Sequence, residues 1–161
     1  MAPVIHAFSE RPEVDVRILA TAQHRSMLDQ IHGFFGIRPH RDLDLMRPDQ
    51  SLSDLTARML TQLDPVLAEE APALVLAQGD TTTVMVAALS SFYRNIPFAH
   101  VEAGLRTGNL RQPFPEELNR ALVSRVAALN FAPTQRAAEN LLREGLRPET
   151  VQITGNTVID A

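Results

Sequence analysis

The sequence contains no cysteine and no lysine, and each absence excludes a class of chemistry. Without cysteine the chain has no disulfide, no thiolate nucleophile and no cysteine-ligated zinc. All fifteen of its cationic side chains are arginine, which excludes lysine Schiff bases and the lysine of a P-loop. Apolar runs stay short of the roughly 18 residues of a membrane span, and the first residues lack a signal peptide's basic start and long apolar core. We therefore expect a cytoplasmic protein with no membrane partner.

A basic excess is also missing, because nineteen acidic residues outnumber the fifteen arginines and give a net charge of −4. The chain thus lacks a surface that matches a phosphate backbone, and we expect no nucleic-acid partner. The hydrophobic fraction of 45% is that of a soluble globular chain, which excludes collagen, coiled coils and disorder. At roughly 150 residues per domain, this length predicts a single domain over residues 1–161.

Two hydrophobic periodicities alternate along the chain. Short β-branched or apolar runs predict strands over residues 14–20, 41–46, 73–77, 97–101, 129–132 and 151–154. Helical spacing predicts helices over residues 23–35, 51–70, 82–93 and 135–144, with a kink or break at Pro65. Since neighbouring parallel strands need a crossover, normally a helix, the alternation predicts a Rossmann-like α/β fold: a parallel sheet with helices on both faces. The chain opens in an apolar, helix-like piece and stops where a further helix would start, so we expect it to be cut at both ends.

Charged residues lie where an open α/β sheet binds its ligands, just beyond the carboxyl ends of the strands. Asp80 follows the strand at 73–77, Glu102 follows the strand at 97–101, and Glu116 opens a helix. We call this edge, at the carboxyl ends of the strands, the rim. Three carboxylates on the rim suggest general acid/base catalysis, because proton transfer needs groups whose pKa values are pushed apart by their surroundings.

Each of these residues also has a purely structural interpretation. Asp80 or Thr81 can simply cap the helix that follows. Glu102 and Arg106 can be solvated loop charges. Glu116 lies four residues before Arg120, a spacing that allows a surface ion pair worth a few tenths of a kcal/mol. The residues alone leave these alternatives open.

Common catalytic fingerprints are absent from the sequence. It has no GxGxxG, no P-loop and no GxSxG motif, which argues against nicotinamide binding, P-loop nucleotide hydrolysis and esterase chemistry. The five histidines are scattered at positions 6, 24, 32, 40 and 100, and this spacing predicts no metal site.

Five segments together resemble a known family, the non-hydrolysing UDP-N-acetylglucosamine 2-epimerases. They are Thr21–Arg25 (TAQHR), Gly79–Thr83 (GDTTT), His100–Thr107 (HVEAGLRT), Pro115–Arg120 (PEELNR) and Thr154–Ala161 (TGNTVIDA). The resemblance covers essentially the whole chain, and the segments occur in the family's order and spacing. One departure is Gln78, where family members often carry histidine.

The resemblance implies a fold and a reaction. Family members have two Rossmann-like domains that face each other across a cleft, the GT-B arrangement. Residues 1–161 resemble the N-terminal domain without its first strand, and the C-terminal UDP-binding domain is absent. The implied reaction converts UDP-GlcNAc to UDP-ManNAc by elimination and re-addition of UDP with inversion at C2, without a cofactor or an essential metal. A homodimer that supplies polysaccharide precursors is implied as well.

The resemblance also implies roles for particular residues. The catalytic carboxylates would be Asp80, Glu102 and Glu116. The implied substrate-binding residues are Arg106, Arg120, His100, Gln23 and His24, and the last two lie in a motif near which bacterial members bind a second UDP-GlcNAc as an activator.

Two other functions remain open at this point. The chain can be a non-catalytic truncated remnant or an isolated sugar-nucleotide-binding half. It can also belong to a GT-B glycosyltransferase, because that architecture is shared.

Overall fold

The computed structural model describes residues 1–21, 30 and 33–161. Most of the helix predicted over residues 23–35 lies outside the described residues. The described part forms two compact units, Met1–Met59 together with Thr157–Ala161, and Leu60–Asn156. Each unit is described by itself.

The first unit contains short elements. Helix α1 spans Ala2–Ser9, and strands β1 (Leu19–Ala20) and β2 (Arg41–Asp42) pair in parallel. The sequence predicted longer strands here, and that prediction is wrong. One reason is local: Asp44 adopts a φ of 44° outside the β region, and its N–H turns back to the Asp42 carboxylate at 3.0 Å. The unit also holds the 3₁₀ turn Thr157–Asp160.

Helix α2 spans Leu52–Glu70, and the boundary between the two units falls within it. The helix begins after Ser51, whose hydroxyl accepts the Asp54 N–H at 3.1 Å. It continues through Pro65, so the predicted break does not occur. A proline inside a helix costs about 3 kcal/mol, whereas burial of each large apolar side chain contributes roughly 1.5–3 kcal/mol. The neighbouring side chains of Leu63, Val66 and Leu67 are all buried, which accounts for the continuous helix.

The second unit is a four-stranded parallel sheet joined by helical crossovers, as the alternating periodicities predicted. Its strands are β3 (Val75–Gln78), β4 (Phe98–Val101), β5 (Leu129–Ala132) and β6 (Val151–Ile153), paired in that order. Its helices are α3 (Thr82–Tyr93), α4 (Glu116–Val126) and α5 (Gln135–Arg143). This is a Rossmann-like α/β fold.

The core of this unit determines which strand residues face the helices. Phe98 of β4 packs in one cluster with Val84 of α3 and Val123 of α4. Because side chains alternate along a strand, His100 lies on the same face as Phe98. Asn130 is its register partner on β5 and lies beside it. Both polar side chains are fully buried between the sheet and its helices.

Candidate functional site

Two of the predicted carboxylates emerge from one edge of the sheet. Strands β3 and β4 are in parallel register with Gln78 opposite Val101, so both strands end at the same level. Glu102 follows β4 directly, and Asp80 follows β3 after Gly79, which has a φ of 90°. Both carboxylates therefore lie at the edge where open α/β sheets bind ligands.

Glu102 has an unusual backbone and a well-defined side chain. Its φ is 67°, a left-handed conformation that costs a residue with a Cβ about 1–2 kcal/mol. Its Oε2 accepts from the Gln78 side-chain amide at 3.4 Å, and its Oε1 accepts from the Asn156 amide at 3.3 Å. The Glu102 backbone is strained at the end of a strand, and both of its carboxylate oxygens accept hydrogen bonds. Because such strain clusters at functional sites, we interpret Glu102 as a positioned carboxylate.

Asp80 does more than begin the next helix. Thr81 occupies the N-cap of α3, and among the described residues no side-chain capping bond forms there. The Asp80 carboxylate instead lies 3.1 Å from the Arg120 guanidinium, and the Asn119 amide donates to the Asp80 carbonyl at 2.9 Å. The Asp80 side chain is 32% exposed, so it is accessible although paired. The capping interpretation of Asp80 is therefore wrong.

His100 supports the same turn from the buried side. Its Nε2 lies 2.7 Å from the Gly79 carbonyl, and since a carbonyl only accepts, we assign the ring proton to Nε2. Burial lowers the pKa of His100 below its ordinary 6.5, and the positive charges of Arg106 and Arg120 also lower it. The hydrogen bond to Gly79 and the negative charge of Asp80 raise the pKa, but they do not offset the burial. The ring is therefore neutral at pH 7. The structure places it beneath the rim, fully buried.

Arg106 forms a structural ion pair. Its guanidinium donates to both oxygens of Glu144 at 2.7 and 3.0 Å and to the Ser124 hydroxyl at 3.0 Å. The side chain is only 10% exposed. Arg106 therefore ties the segment after β4 to the end of α5.

Arg120 and Glu117 form the other ion pair near the rim. Glu117 is 2% exposed, and its Oε1 accepts the N–H groups of Thr107 and Gly108, each at 2.9 Å. Its Oε2 lies 3.4 Å from the Arg120 Nε, within ion-pair distance but without hydrogen-bond alignment. Arg120 thus contacts Glu117 and Asp80 at once.

Glu117 is a site residue that the sequence pattern did not single out. It shares one helical face with residues 120, 123 and 124, and all four are buried, but three of them are polar, so the face has no apolar pattern in the sequence. Glu116, the residue that was singled out, is half-buried at the first position of α4. In the described part of the chain, the side-chain ion pairs of Arg120 go to Asp80 and Glu117, so the surface pair with Glu116 that the spacing allowed does not form.

The two remaining predicted residues, Gln23 and His24, lie outside the described residues. Within residues 1–21, 30 and 33–161, no group of three or more histidine, aspartate or glutamate side chains is arranged to hold a metal ion. In the same residues, no helix combines the length and apolar character needed to cross a membrane.

Known proteins resemble this chain in sequence and in structure. The UDP-N-acetylglucosamine 2-epimerases of Salmonella typhimurium and Escherichia coli are each 50% identical to it, over 100% of this chain and 43% of the relative. A crystal structure of the UDP-GlcNAc 2-epimerase from Neisseria meningitidis bound to UDP-GlcNAc superposes with a TM-score of 0.96 at 46% identity, over 99% of this chain and 43% of that one. The crystal structure of the Methanocaldococcus jannaschii UDP-GlcNAc 2-epimerase in complex with UDP-GlcNAc and UDP superposes with a TM-score of 0.92 at 36% identity. This match covers 99% of this chain and 43% of that one.

These comparisons agree with one another. The chain spans less than half the length of the relatives it matches. A family model described as UDP-N-acetylglucosamine 2-epimerase matches residues 6–161. The chain therefore belongs to the UDP-N-acetylglucosamine 2-epimerase family.

Proposed function

We propose that the complete gene product converts UDP-GlcNAc to UDP-ManNAc by inverting C2. The observation that carries the proposal is the pair of carboxylates, Asp80 and Glu102, at one edge of a sheet that resembles epimerases solved with UDP-GlcNAc. Residues 1–161 would form the N-terminal half of a two-domain GT-B protein.

The proposed reaction needs two proton carriers. The C2 proton is only weakly acidic, so a carboxylate removes it while the C1–O bond breaks and UDP leaves with the bonding electrons. The product of this step is a 2-acetamidoglucal. Re-addition of UDP at C1 and delivery of a proton to the opposite face of C2 complete the inversion. We place the two proton carriers among Asp80, Glu102 and Glu116, without allocating a face of C2 to any of them.

The surroundings of two carboxylates support this assignment. Arg120 holds the Asp80 carboxylate, and the amides of Gln78 and Asn156 hold both oxygens of Glu102. A carboxylate whose orientation is already fixed loses little more side-chain entropy when it reacts with the C2 proton of the bound substrate. Glu116 stands at the N-terminus of α4, one turn before Arg120.

The test is a proton NMR assay of the complete gene product with UDP-GlcNAc in D₂O. We expect UDP-ManNAc to appear and C2 to acquire deuterium. Asp80→Asn and Glu102→Gln should each lower kcat by about 10²- to 10⁴-fold, the usual contribution of a general acid or base. Glu139→Gln, at an exposed position on α5, is the matched control and should leave the rate unchanged.

Failure to form UDP-ManNAc would contradict the proposal. Glycosyl transfer to an added acceptor would instead favour a GT-B glycosyltransferase. The other expectations from the family resemblance, a cytoplasmic homodimer that supplies polysaccharide precursors, stay predictions. Sedimentation of the complete protein tests the dimer.

A further inference from the structure

Glu117 is a buried charge with a specific set of partners. Its carboxylate is 2% exposed, and burial of a charge is costly unless it is paired and hydrogen-bonded. Oε1 receives two backbone N–H groups, from Thr107 and Gly108, both at 2.9 Å. Oε2 faces the Arg120 Nε at 3.4 Å. A glutamate needed only to begin a helix would remain in solvent, so these contacts require another explanation.

The Glu117 carboxylate connects two parts of the rim. Through Oε1 it ties the segment that follows Glu102 to helix α4. Through Oε2 it faces one side of the Arg120 guanidinium, whose Nη2 lies 3.1 Å from the Asp80 Oδ2. The Arg120 side chain is 11% exposed, so little solvent competes for it.

The planar guanidinium makes this arrangement directional. Arginine presents its N–H donors in a rigid fork. The Arg120 Nε–H donates to the Glu116 carbonyl at 3.4 Å, and the Glu117 charge beside Nε favours the orientation in which Nη2 faces Asp80. Removal of the negative charge at Glu117 would leave the Glu116 carbonyl as the partner of Nε and weaken the restraint on the Arg120 side-chain torsions. Asp80 would then lose its orienting partner, although Asn119 would still hold the Asp80 backbone carbonyl.

We propose that Glu117 is a positioning residue that acts on Asp80 through Arg120. The inference rests on the proposed epimerase function, because it assigns Asp80 a part in proton transfer. Glu117 itself contacts no substrate in this scheme. Its effect is to fix the orientation of a carboxylate two contacts away.

The test uses Glu117→Gln in the complete gene product. Glutamine retains an Oε1 acceptor for Thr107 and Gly108 and replaces the charge opposite Arg120 with an N–H₂ donor. We expect kcat to fall by roughly 10- to 100-fold, the size of effect that a small misplacement of a reacting group produces, while KM stays within about twofold. Glu139→Gln again serves as the control.

A double-mutant cycle separates positioning from simple stabilisation. Arg120→Gln should lower kcat on its own, and the addition of Glu117→Gln should then have little further effect, since both changes remove the same contact. Additive losses, or a rise in KM at constant kcat, would overturn the proposal. If Glu117→Gln does not fold, as judged by circular dichroism, Arg120→Lys replaces it. Lysine keeps the charge but lacks the planar fork that orients Nη2, and a kcat equal to wild type in that variant would overturn the proposal as well.

Crystal structures distinguish failure of this inference from failure of the proposed function. If the wild-type protein forms no UDP-ManNAc, the proposed reaction is wrong, but the contact itself can still be examined. In Glu117→Gln we expect Arg120 and Asp80 to separate beyond the ion-pair limit of about 4 Å. An intact pair in that variant would overturn the positioning role whatever the reaction.

Discussion

Adjacent carboxylates in this chain have very different surroundings. Glu116 is half-buried, whereas Glu117 is inside the protein and receives two backbone N–H groups. The sequence EE at a helix start does not distinguish them, because both residues complement the helix dipole equally well. Only the packing of α4 against the sheet determines which one faces inward. Candidate proton carriers could therefore be found from position along the chain, but the residue that fixes Arg120 could not.

His100 predicts a pH dependence of stability. Its pKa in the folded protein is lowered by burial, so as the pH falls through 6.5 the unfolded chain takes up a proton before the folded chain does. Stability must then fall as the pH drops below 6.5, with a slope of at most about 1.4 kcal/mol per pH unit for this one proton. His100→Gln, which can still reach the Gly79 carbonyl, should reduce the loss of stability between pH 7.5 and pH 5. Urea unfolding of both proteins at both pH values checks this, and equal losses would contradict it.

The strained backbone at Glu102 should lower the stability of the fold, although the carboxylate there is needed for activity. Its φ of 67° is unfavourable for any residue with a Cβ, and glycine relieves that strain at some cost in chain entropy. We expect Glu102→Gly to be more stable than Glu102→Ala by roughly 0.5–1 kcal/mol, with both variants inactive. The alanine variant is the control, because it loses the carboxylate and keeps the strain. Denaturant midpoints measure the difference, and an alanine variant as stable as the glycine variant would argue against strain.

At the scale of elements, the segment after β4 packs closely against α5. A Cβ built on Gly104 would lie 2.2 Å from the Ala137 carbonyl oxygen, and the Asn140 amide donates to the Gly104 carbonyl at 2.9 Å. The ion pair between Arg106 and Glu144 adds a third connection. The HVEAGLRT segment is therefore also a packing unit, which its pattern of polar and apolar residues does not reveal.

Gly104→Ala tests this close approach. Gly104 has a φ of 86° and Gly108 a φ of 79°, so alanine at either position carries a similar backbone strain. A Cβ on Gly108 would meet no described atom within 4 Å, whereas one on Gly104 would collide with helix backbone. We expect Gly104→Ala to destabilise the protein by about 1–3 kcal/mol more than Gly108→Ala, the usual cost of overpacking. Thermal unfolding of both variants measures this, and equal melting temperatures would refute the steric argument.

At the scale of the whole molecule, the two units differ in how far the sequence predicted them. In Leu60–Asn156 the strands were located to within about two residues, because compact apolar runs end at clear turn signals such as Gly79 and Gly155. In the first unit, the segments predicted as strands, 14–20 and 41–46, mix polar and apolar residues, and only two-residue strands form there. Propensity is a weak guide there, since strand length depends on what each strand can pair with.

Two arginines at the rim, Arg106 and Arg120, already have carboxylate partners. Elimination of UDP requires stabilisation of a diphosphate leaving group. Arg106 is already bound by Glu144, and Arg120 by Asp80 and Glu117, so neither of these two guanidinium groups is available to a diphosphate without loss of its present contact. A departing diphosphate therefore needs donor groups other than these two guanidinium groups in their present pairing.

We predict that catalysis needs more of the protein than residues 1–161, since the chain spans only 43% of the epimerases that it matches. The polypeptide of residues 1–161 should form no UDP-ManNAc under conditions in which the complete gene product does, because Arg106 and Arg120 are already engaged by carboxylates and the departing UDP needs available donor groups. The NMR assay at equal protein concentration measures both. The control adds the remainder of the gene product as a separate polypeptide, which should restore turnover if the two halves associate. Turnover by residues 1–161 alone at the rate of the complete protein would contradict this prediction and show that the groups of residues 1–161 are sufficient.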